Sequence, residues 1–455
     1  MLIAIFAIFF LICISALDWK KSIFFVLIFI VLEGVARKWI LPQASNLIYF
    51  VKDLVLIGAY IKYFVIETKR TKNHYINVFI YLLAIWSFVQ AFNPSLGSYI
   101  VGLFGLKTYL LYIPIFWMLS DMFSSKIDIY KFLRFYLLLV IPVCLLAVAQ
   151  FFSPPSSPLN VYSNSASVVA MFGVGKEQIV RVTGSFSYIT GFGTYLSASL
   201  SLLVPMLTLR QSRVWFCLTI IELLLVLGTS FMTGSRTVVL YEALFLISYV
   251  FILSLTHPNQ TPHIIKKFIL PTIIASVVVP TYFSKSIDLL SKRTISNSAE
   301  SAGRIWGPFT EAVSGIQYII QSKQIDSYGT GATHQATSVL RKFLGLPQGE
   351  PTPPLEVEPA RVAVEIGVIG FISWYLIRIS LIISLFLTLR KLRDPFLCQL
   401  ALSAFLFHLL QITISVIFNP YMGIYYWFFA GFIFLLPELE KREENKNIFS
   451  QISPS

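Results

Sequence analysis

Long apolar segments separated by short polar connections run through almost the whole chain. A helix needs about 20 mostly apolar residues to cross a bilayer, and this pattern predicts about 12–13 such helices. The predicted segments lie near 1–17, 22–36, 46–66, 75–92, 98–120, 131–152, 187–208, 214–230, 236–256, 267–283, 361–388, 396–418 and 422–437. The expected fold is therefore all-α, a polytopic transmembrane helix bundle.

One long stretch interrupts this alternation. Residues 284–360 are less apolar and carry a proline cluster at Pro351, Pro353 and Pro354. A structureless loop of this length is uncommon, so we expect short helices in it, one of them near residues 306–320. The predicted organisation is an N-terminal transmembrane bundle of about ten helices over 1–283, the large loop over 284–360, C-terminal transmembrane helices over 361–437, and a tail over 438–455.

Lysine and arginine concentrate in every second connection. These basic connections are 18–21, 69–72, 126–134, 210–213, 266–267, 390–393 and the tail around 441–442. The connections between them, such as 93–97 and 419–422, are nearly free of charge. Basic residues are retained on the cytoplasmic side of a membrane. This asymmetry predicts a multi-pass protein of the bacterial cytoplasmic (inner) membrane, with a cytoplasmic C-terminus and with 153–186, 231–236 and 284–360 outside.

Composition supports a membrane protein. The 455-residue chain is 56% hydrophobic and 13% charged, with a mean hydropathy of +0.76, whereas soluble domains carry about 25% charged residues. The net charge of +13 is expected from cytoplasmic loops, so nucleic acid is not an expected partner. No phosphate-binding glycine loop and no metal-ligand spacing occurs, and the cysteines lie in apolar runs. We therefore expect neither a metal nor a cofactor.

Polar helix starts on the predicted outer side are the candidate binding groups. Ser235 and Arg236 open one helix, Arg181 precedes another, and Arg361 lies in the first turn of a third. Free N–H groups at helix starts, together with these arginines and Arg304 of the long loop, suit a diphosphate. The alternative is that these residues are ordinary caps and that the arginines reach phospholipid head groups.

Glu358, Glu365 and His334 are the candidate catalytic residues. Glu358, Arg361 and Glu365 share one helix face by spacing, so a carboxylate could take a proton from a hydroxyl beside the arginine. His334 is the histidine placed in the outer loop and titrates near neutral pH in its ordinary state. The alternatives are a structural ion pair at a helix start and a solvated histidine.

Charged residues also occur inside predicted spans, where they are costly and usually paired or functional. They are Lys52, Asp53, Lys107 and Glu222. Pairing between helices would fix the bundle, whereas an ion or proton pathway would indicate a transporter such as a lipid-linked glycan flippase or a polysaccharide exporter.

Several short runs resemble the O-antigen polymerase and O-antigen ligase superfamily. They are Thr-Gly-Ser-Arg-Thr at 233–237 and Glu-Ile-Gly-Val-Ile-Gly at 365–370, together with the long outer loop. The runs at 33–42 and 105–109 are similar to the polymerase-type branch. The resemblance covers roughly residues 30–435 and depends on the order of the motifs.

The resemblance implies a metal-independent glycosyltransferase whose donor is a glycan on undecaprenyl diphosphate. It implies that Arg181, Arg236 and Arg304 bind the diphosphate, and that the growing glycan chain, the lipid bilayer and a chain-length regulator are partners. The His-Asn pair of ligase-like members is replaced by the run at 356–359, where Glu358 lies. Glu358, slightly preferred, and His334 are therefore the candidates for the base. An O-antigen ligase is the nearest alternative.

Overall fold

In the computed structural model the chain is mostly helical, at 76%. The structure describes residues 2–162, 170–174, 177–209, 211–256, 298–324 and 326–452, with scattered positions between 257 and 297. The N-terminal helices are α1 (Leu2–Ser15), α2 (Trp19–Val35), α3 (Ser45–Tyr60), α4 (Ile76–Ala91), α5 (Tyr99–Leu110), α6 (Pro114–Met122), α7 (Lys126–Leu137) and α8 (Val140–Phe152). The later helices are α9 (Ile189–Thr208), α10 (Arg213–Met232), α11 (Arg236–Thr256), α12 (Ser298–Ser322), α13 (Ala336–Leu344), α14 (Glu358–Lys391), α15 (Pro395–Leu410), α16 (Pro420–Ala430) and α17 (Phe432–Ile452).

These helices confirm the predicted helical bundle in outline. Among the described residues, seven helical stretches, including α9, α10, α11 and α14, are long and apolar enough to cross a membrane. Outward side chains of these stretches are apolar: Phe135, Ile247 and Phe251 are each more than 60% exposed. Such a surface suits lipid better than water, so the chain is a membrane protein.

Several predicted boundaries differ from the structure. The helix predicted over 396–418 ends at Leu410, and residues 411–419 form a non-helical connection to α16. The tail predicted over 438–455 continues as helix α17 through Ile452. The predicted helix over 267–283 lies mostly outside the described residues. In the long loop, the expected helix near 306–320 is part of α12.

A small β-hairpin is the exception to the all-α prediction. Strands β1 (Met171–Val174) and β2 (Glu177–Val180) pair antiparallel, with Met171 opposite Val180. Each strand has four residues, which is too short to be recognised from the pattern of apolar segments. The hairpin lies directly before Arg181, and the ring of Phe172 packs against Gly234, which precedes α11.

The connections gather at two opposite ends of the bundle. At one end Lys72 pairs with Asp121 at 3.1 Å and with Glu438 at 3.9 Å, and Lys126 pairs with Asp394 at 2.6 Å. These are the basic connections of the sequence pattern. The connections that are poor in charge pack against one another at the other end, together with the described part of the long loop, and this end holds the candidate site.

Candidate functional site

Helix α14 is broken at Gly367, a feature that the apolar pattern does not reveal. Gly367 has φ 67° and ψ −175°, a conformation that only glycine adopts readily. A helix rises about 1.5 Å per residue, so Glu358 lies about 12 Å before Ile366 and Arg378 about 17 Å after Gly367. Glu358 and Arg378 nevertheless form an ion pair of 2.7 Å. The two parts of α14 must therefore fold back against each other as a helical hairpin.

Glu358 lies at the base of this hairpin and is fully engaged by donors. It accepts hydrogen bonds from Arg378 at 2.7 Å, Trp374 at 3.3 Å, and the backbone N–H groups of Val416 and Ile417 at 2.5 and 2.8 Å. Glu358 and Arg378 are 2% and 0% exposed. A carboxylate that accepts this many bonds has little capacity left for a substrate proton. The geometry favours the structural alternative for Glu358.

Glu365 holds the loop that carries His334. Its carboxylate accepts the backbone N–H groups of Gly331 and Thr333 at 3.0 and 2.8 Å, the Thr333 hydroxyl at 2.8 Å, and the Tyr109 hydroxyl at 3.0 Å. Gly105 of α5 lets this loop approach, because a Cβ there would collide with the Thr330–Gly331 peptide. Glu365 therefore positions the loop and ties it to Tyr109 of α5.

Arg361 binds the same loop from the other side. Its Nη2 donates to the Thr333 carbonyl at 2.7 Å, its Nε donates to the Thr333 hydroxyl at 3.2 Å, and its guanidinium lies 3.5 Å from the centre of the Phe418 ring. Arg361 is 6% exposed, and no carboxylate of the described residues lies within ion-pair distance of it. Its hydrogen-bond partners are neutral, and the buried carboxylate of Glu365, which accepts from the same Thr333 hydroxyl, acts on it electrostatically.

His334 lies next to this cation. Its Nδ1 accepts the backbone N–H of Ala336 at 3.1 Å, so in the neutral ring Nε2 carries the proton. Nε2 has no hydrogen-bond partner among the described residues. Burial, followed by the charges of Arg361 and Lys107, lowers the pKa of His334 to about 3. The ring is therefore a neutral hydrogen-bond donor at physiological pH, packed against Phe104 and Phe418.

The charged residues predicted inside spans are largely paired between helices. Lys52 pairs with Glu33 at 3.0 Å, Glu33 also pairs with Arg37 at 3.1 Å, and Lys107 pairs with Asp53 at 2.5 Å. This confirms interhelical pairing for these groups. The carboxylate of Glu222, in contrast, is buried in α10 without a hydrogen-bond partner among the described residues.

Lys38 is a second buried cation with neutral partners. It is 5% exposed, and its Nζ donates to the Thr183 hydroxyl at 3.0 Å and to the Gly184 carbonyl at 2.9 Å. Desolvation lowers its pKa to about 7. Gln150 fixes the same loop by accepting the N–H groups of Thr183 and Gly184. Lys38 follows α2 in a π-helical segment, a distortion that is frequent at functional sites.

The predicted diphosphate ligands Arg181, Ser235 and Arg236 meet at one turn. The Nε of Arg181 donates to the Thr233 carbonyl at 2.9 Å, and the N–H of Ser235 donates to the Thr233 hydroxyl at 3.1 Å. Arg236 is partly buried at the start of α11. Arg304 lies on α12, but its side chain is outside the described part of the structure.

Two groups of polar residues thus adjoin across the segment 418–421. The ring of Phe418 contacts His334 and Arg361, and the ring of Tyr421 lies 5.4 Å from Phe186 in the loop that binds Lys38. Sequence reasoning found His334, Arg361, Arg181 and Arg236 but did not consider Lys38 or Arg378 as functional. Arg378 could have been identified from the sequence as a single charged residue inside a predicted membrane-spanning segment.

Among the described residues, no group of three or more His, Cys, Asp or Glu side chains could hold a metal ion. Comparisons with protein-family models, curated proteins and solved structures found no match to this chain.

Proposed function

We propose that this protein is a membrane-embedded glycosyltransferase that extends a glycan carried on undecaprenyl diphosphate, on the outer face of the bacterial cytoplasmic membrane. The chain would cross the membrane about 12–13 times, with the long loop outside and the C-terminus in the cytoplasm. The product would be an O-antigen or an exopolysaccharide.

Lys38 and Arg361, two of the buried cations whose described hydrogen-bond partners are all neutral, support this proposal by their position beside the loops that carry Thr183 and Thr333. Burying a charge without a counter-ion is costly, so such groups usually await an anionic ligand or mark a functional site. Lys38 and Arg361 are more than nine-tenths buried and hydrogen-bond to neutral oxygens only. Arg181 and Arg236 lie at the same end of the bundle. A lipid diphosphate would supply the negative charge that Lys38 lacks among its described partners.

In the proposed reaction an acceptor hydroxyl attacks C1 of the donor sugar. The bond from C1 to the phosphate oxygen breaks, and its electron pair leaves with the lipid diphosphate. Arg361, Lys38, Arg181 and Arg236 stabilise the charge that develops there. The acceptor hydroxyl also loses its proton. His334 can take this proton at Nε2 only after its own proton moves to Nδ1 and the hydrogen bond from Ala336 is released.

Lys38 and Arg361 provide a direct test. Lys38→Met removes a buried charge without a described counter-ion, so this variant should fold at least as stably as the wild type without ligand, whereas Arg361→Gln also loses bonds to Thr333 and should be less stable. Each should bind undecaprenyl diphosphate about tenfold or more weakly, since a hydrogen bond to a charged group contributes about 1.5–3 kcal/mol. Native mass spectrometry of the full chain in nanodiscs measures this binding. Unchanged binding in both variants would contradict the proposal.

A deletion strain separates this function from its alternatives. Loss of polymer with single repeat units still present outside indicates a polymerase. Full-length polymer retained on the carrier lipid indicates an O-antigen ligase. Repeat units trapped inside indicate a flippase, an alternative that the broken helix α14 favours because transporters often bind substrates at discontinuous helices.

A further inference from the structure

A cavity of about 470 Å³ lies beside His334. Its walls are the loop 332–334, one face of α13 with Thr337 and Ser338, and the proline segment Pro351–Leu355. Ligand pockets occupy about 300–1,000 Å³, so this volume suits a small oligosaccharide.

The charged side chains at the cavity are already committed to partners within the protein. Arg341 donates to the Leu96 carbonyl at 2.8 Å. Glu350 accepts from the Ser95 hydroxyl at 3.0 Å and pairs with Lys323 at 2.5 Å. These contacts tie the loop 93–98 to the long loop and pair Glu350 with Lys323, whereas the described partners of Arg341 are carbonyl oxygens. Most of the lining is uncharged and polar or apolar, so the cavity suits a polar molecule with apolar faces.

The remaining polar groups match the hydroxyls of a sugar. His334 is 8% exposed and lines the cavity, while its Nε2 atom is itself buried; Thr337 and Ser338 bring hydroxyl groups to the same lining. Pro351, Pro353 and Pro354 have no N–H, so their wall offers backbone carbonyls as acceptors together with apolar ring faces. A sugar hydroxyl donates and accepts hydrogen bonds, and its C–H faces can pack on apolar rings.

We infer that this cavity is the acceptor subsite and that it holds a segment of the acceptor glycan beside His334. The inference rests on the proposed function and adds where the acceptor binds. His334 contacts Phe418, which also covers Arg361. A glycan in the cavity therefore lies near Arg361, one of the cations proposed to bind the lipid diphosphate.

The test uses oligosaccharides released by partial acid hydrolysis from the polysaccharide that a deletion strain lacks. Saturation-transfer NMR with the full chain in nanodiscs measures their binding. Ser338→Trp fills the cavity and should raise the dissociation constant at least about tenfold, equivalent to about 1.4 kcal/mol. Val339→Trp is the matched control, because Val339 is the next residue of α13, is 55% exposed and does not line the cavity.

The lipid donor provides the second measurement. Ser338→Trp should bind undecaprenyl diphosphate as the wild type does, and this retained binding shows that the variant is folded. Absence of saturation transfer to the wild type, or equal transfer to the wild type and Ser338→Trp, would overturn the acceptor subsite. A deletion strain that lacks no polysaccharide, or a wild type that does not bind the lipid diphosphate, would instead refute the proposed function itself.

Discussion

Replacing Glu358 by glutamine distinguishes a structural carboxylate from a catalytic one. The substitution keeps the shape of the side chain but replaces one acceptor oxygen by an NH₂ group. All four described partners of Glu358 are donors, so the new NH₂ group faces donors and loses hydrogen bonds. It also leaves Arg378, which is 0% exposed, without its counter-ion. Removing one partner of a buried ion pair costs about 3–5 kcal/mol. We therefore expect a folded but clearly destabilised protein.

The expected change in melting temperature follows from the size of the chain. Unfolding entropy is about 2.1 cal/mol/K per residue, or about 1 kcal/mol/K for a chain of this length, so the loss corresponds to roughly 3–5 °C. Thermal unfolding in detergent, followed by tryptophan fluorescence, measures this shift. The double variant Glu358→Gln with Arg378→Met should recover much of the loss, because no unpaired charge then remains buried.

Glu356→Gln is the matched control, since Glu356 lies two residues earlier and is exposed. It should leave the melting temperature unchanged. The reasoning is refuted if Glu358→Gln has the melting temperature of the wild type and inserts normally into the membrane but makes no polymer. That result would return Glu358 to the role of general base.

Three further changes test separate parts of the site. Arg236→Ala should abolish chain extension and Arg236→Lys should retain little of it, because lysine lacks the bidentate fork; wild-type polymer lengths in an inserted Arg236→Ala strain would contradict this. Gly367→Ala should destabilise the protein by about 1–3 kcal/mol through backbone strain, measured by thermal unfolding. In the folded protein His334 has a pKa of about 3, below its unfolded value of about 6.5. The free energy of unfolding should therefore fall as the pH drops below 6.5, by about 2 kcal/mol at pH 5. In His334→Gln this part of the pH dependence of unfolding should be absent.

The helices were predictable because apolar length alone defines them. Helix α11 begins at Arg236 and ends at Thr256 as the pattern predicts, and α10 differs by one or two residues at each end. The break in α14 was not predictable in the same way. The apolar run continues on both sides of Gly367, and a glycine inside such a run does not reveal its backbone angles.

Side-chain roles depended on contacts that spacing does not contain. The spacing of Glu358, Arg361 and Glu365 suggested one shared site. In the structure Arg361 and Glu365 both bind Thr333, whereas Glu358 turns towards Arg378. That pairing joins residues on the two arms of a helical hairpin and becomes visible only once the break is known. The contact of Arg181 with Thr233, in the turn before Arg236, agrees with the predicted placement of both arginines at outer helix ends.

The rigidity of the His334 loop links the fold to the proposed chemistry. Glu365 receives the N–H groups of Gly331 and Thr333, and Arg361 binds the carbonyl of Thr333, so the residue before His334 is held from both sides. Groups that are fixed before the substrate arrives lose little free energy to reorganisation during the reaction. The shared attachment through Thr333 also fixes the imidazole relative to the guanidinium of Arg361. A substitution at Glu365 should therefore weaken transfer by misplacing His334, even though Glu365 itself need not touch the glycan.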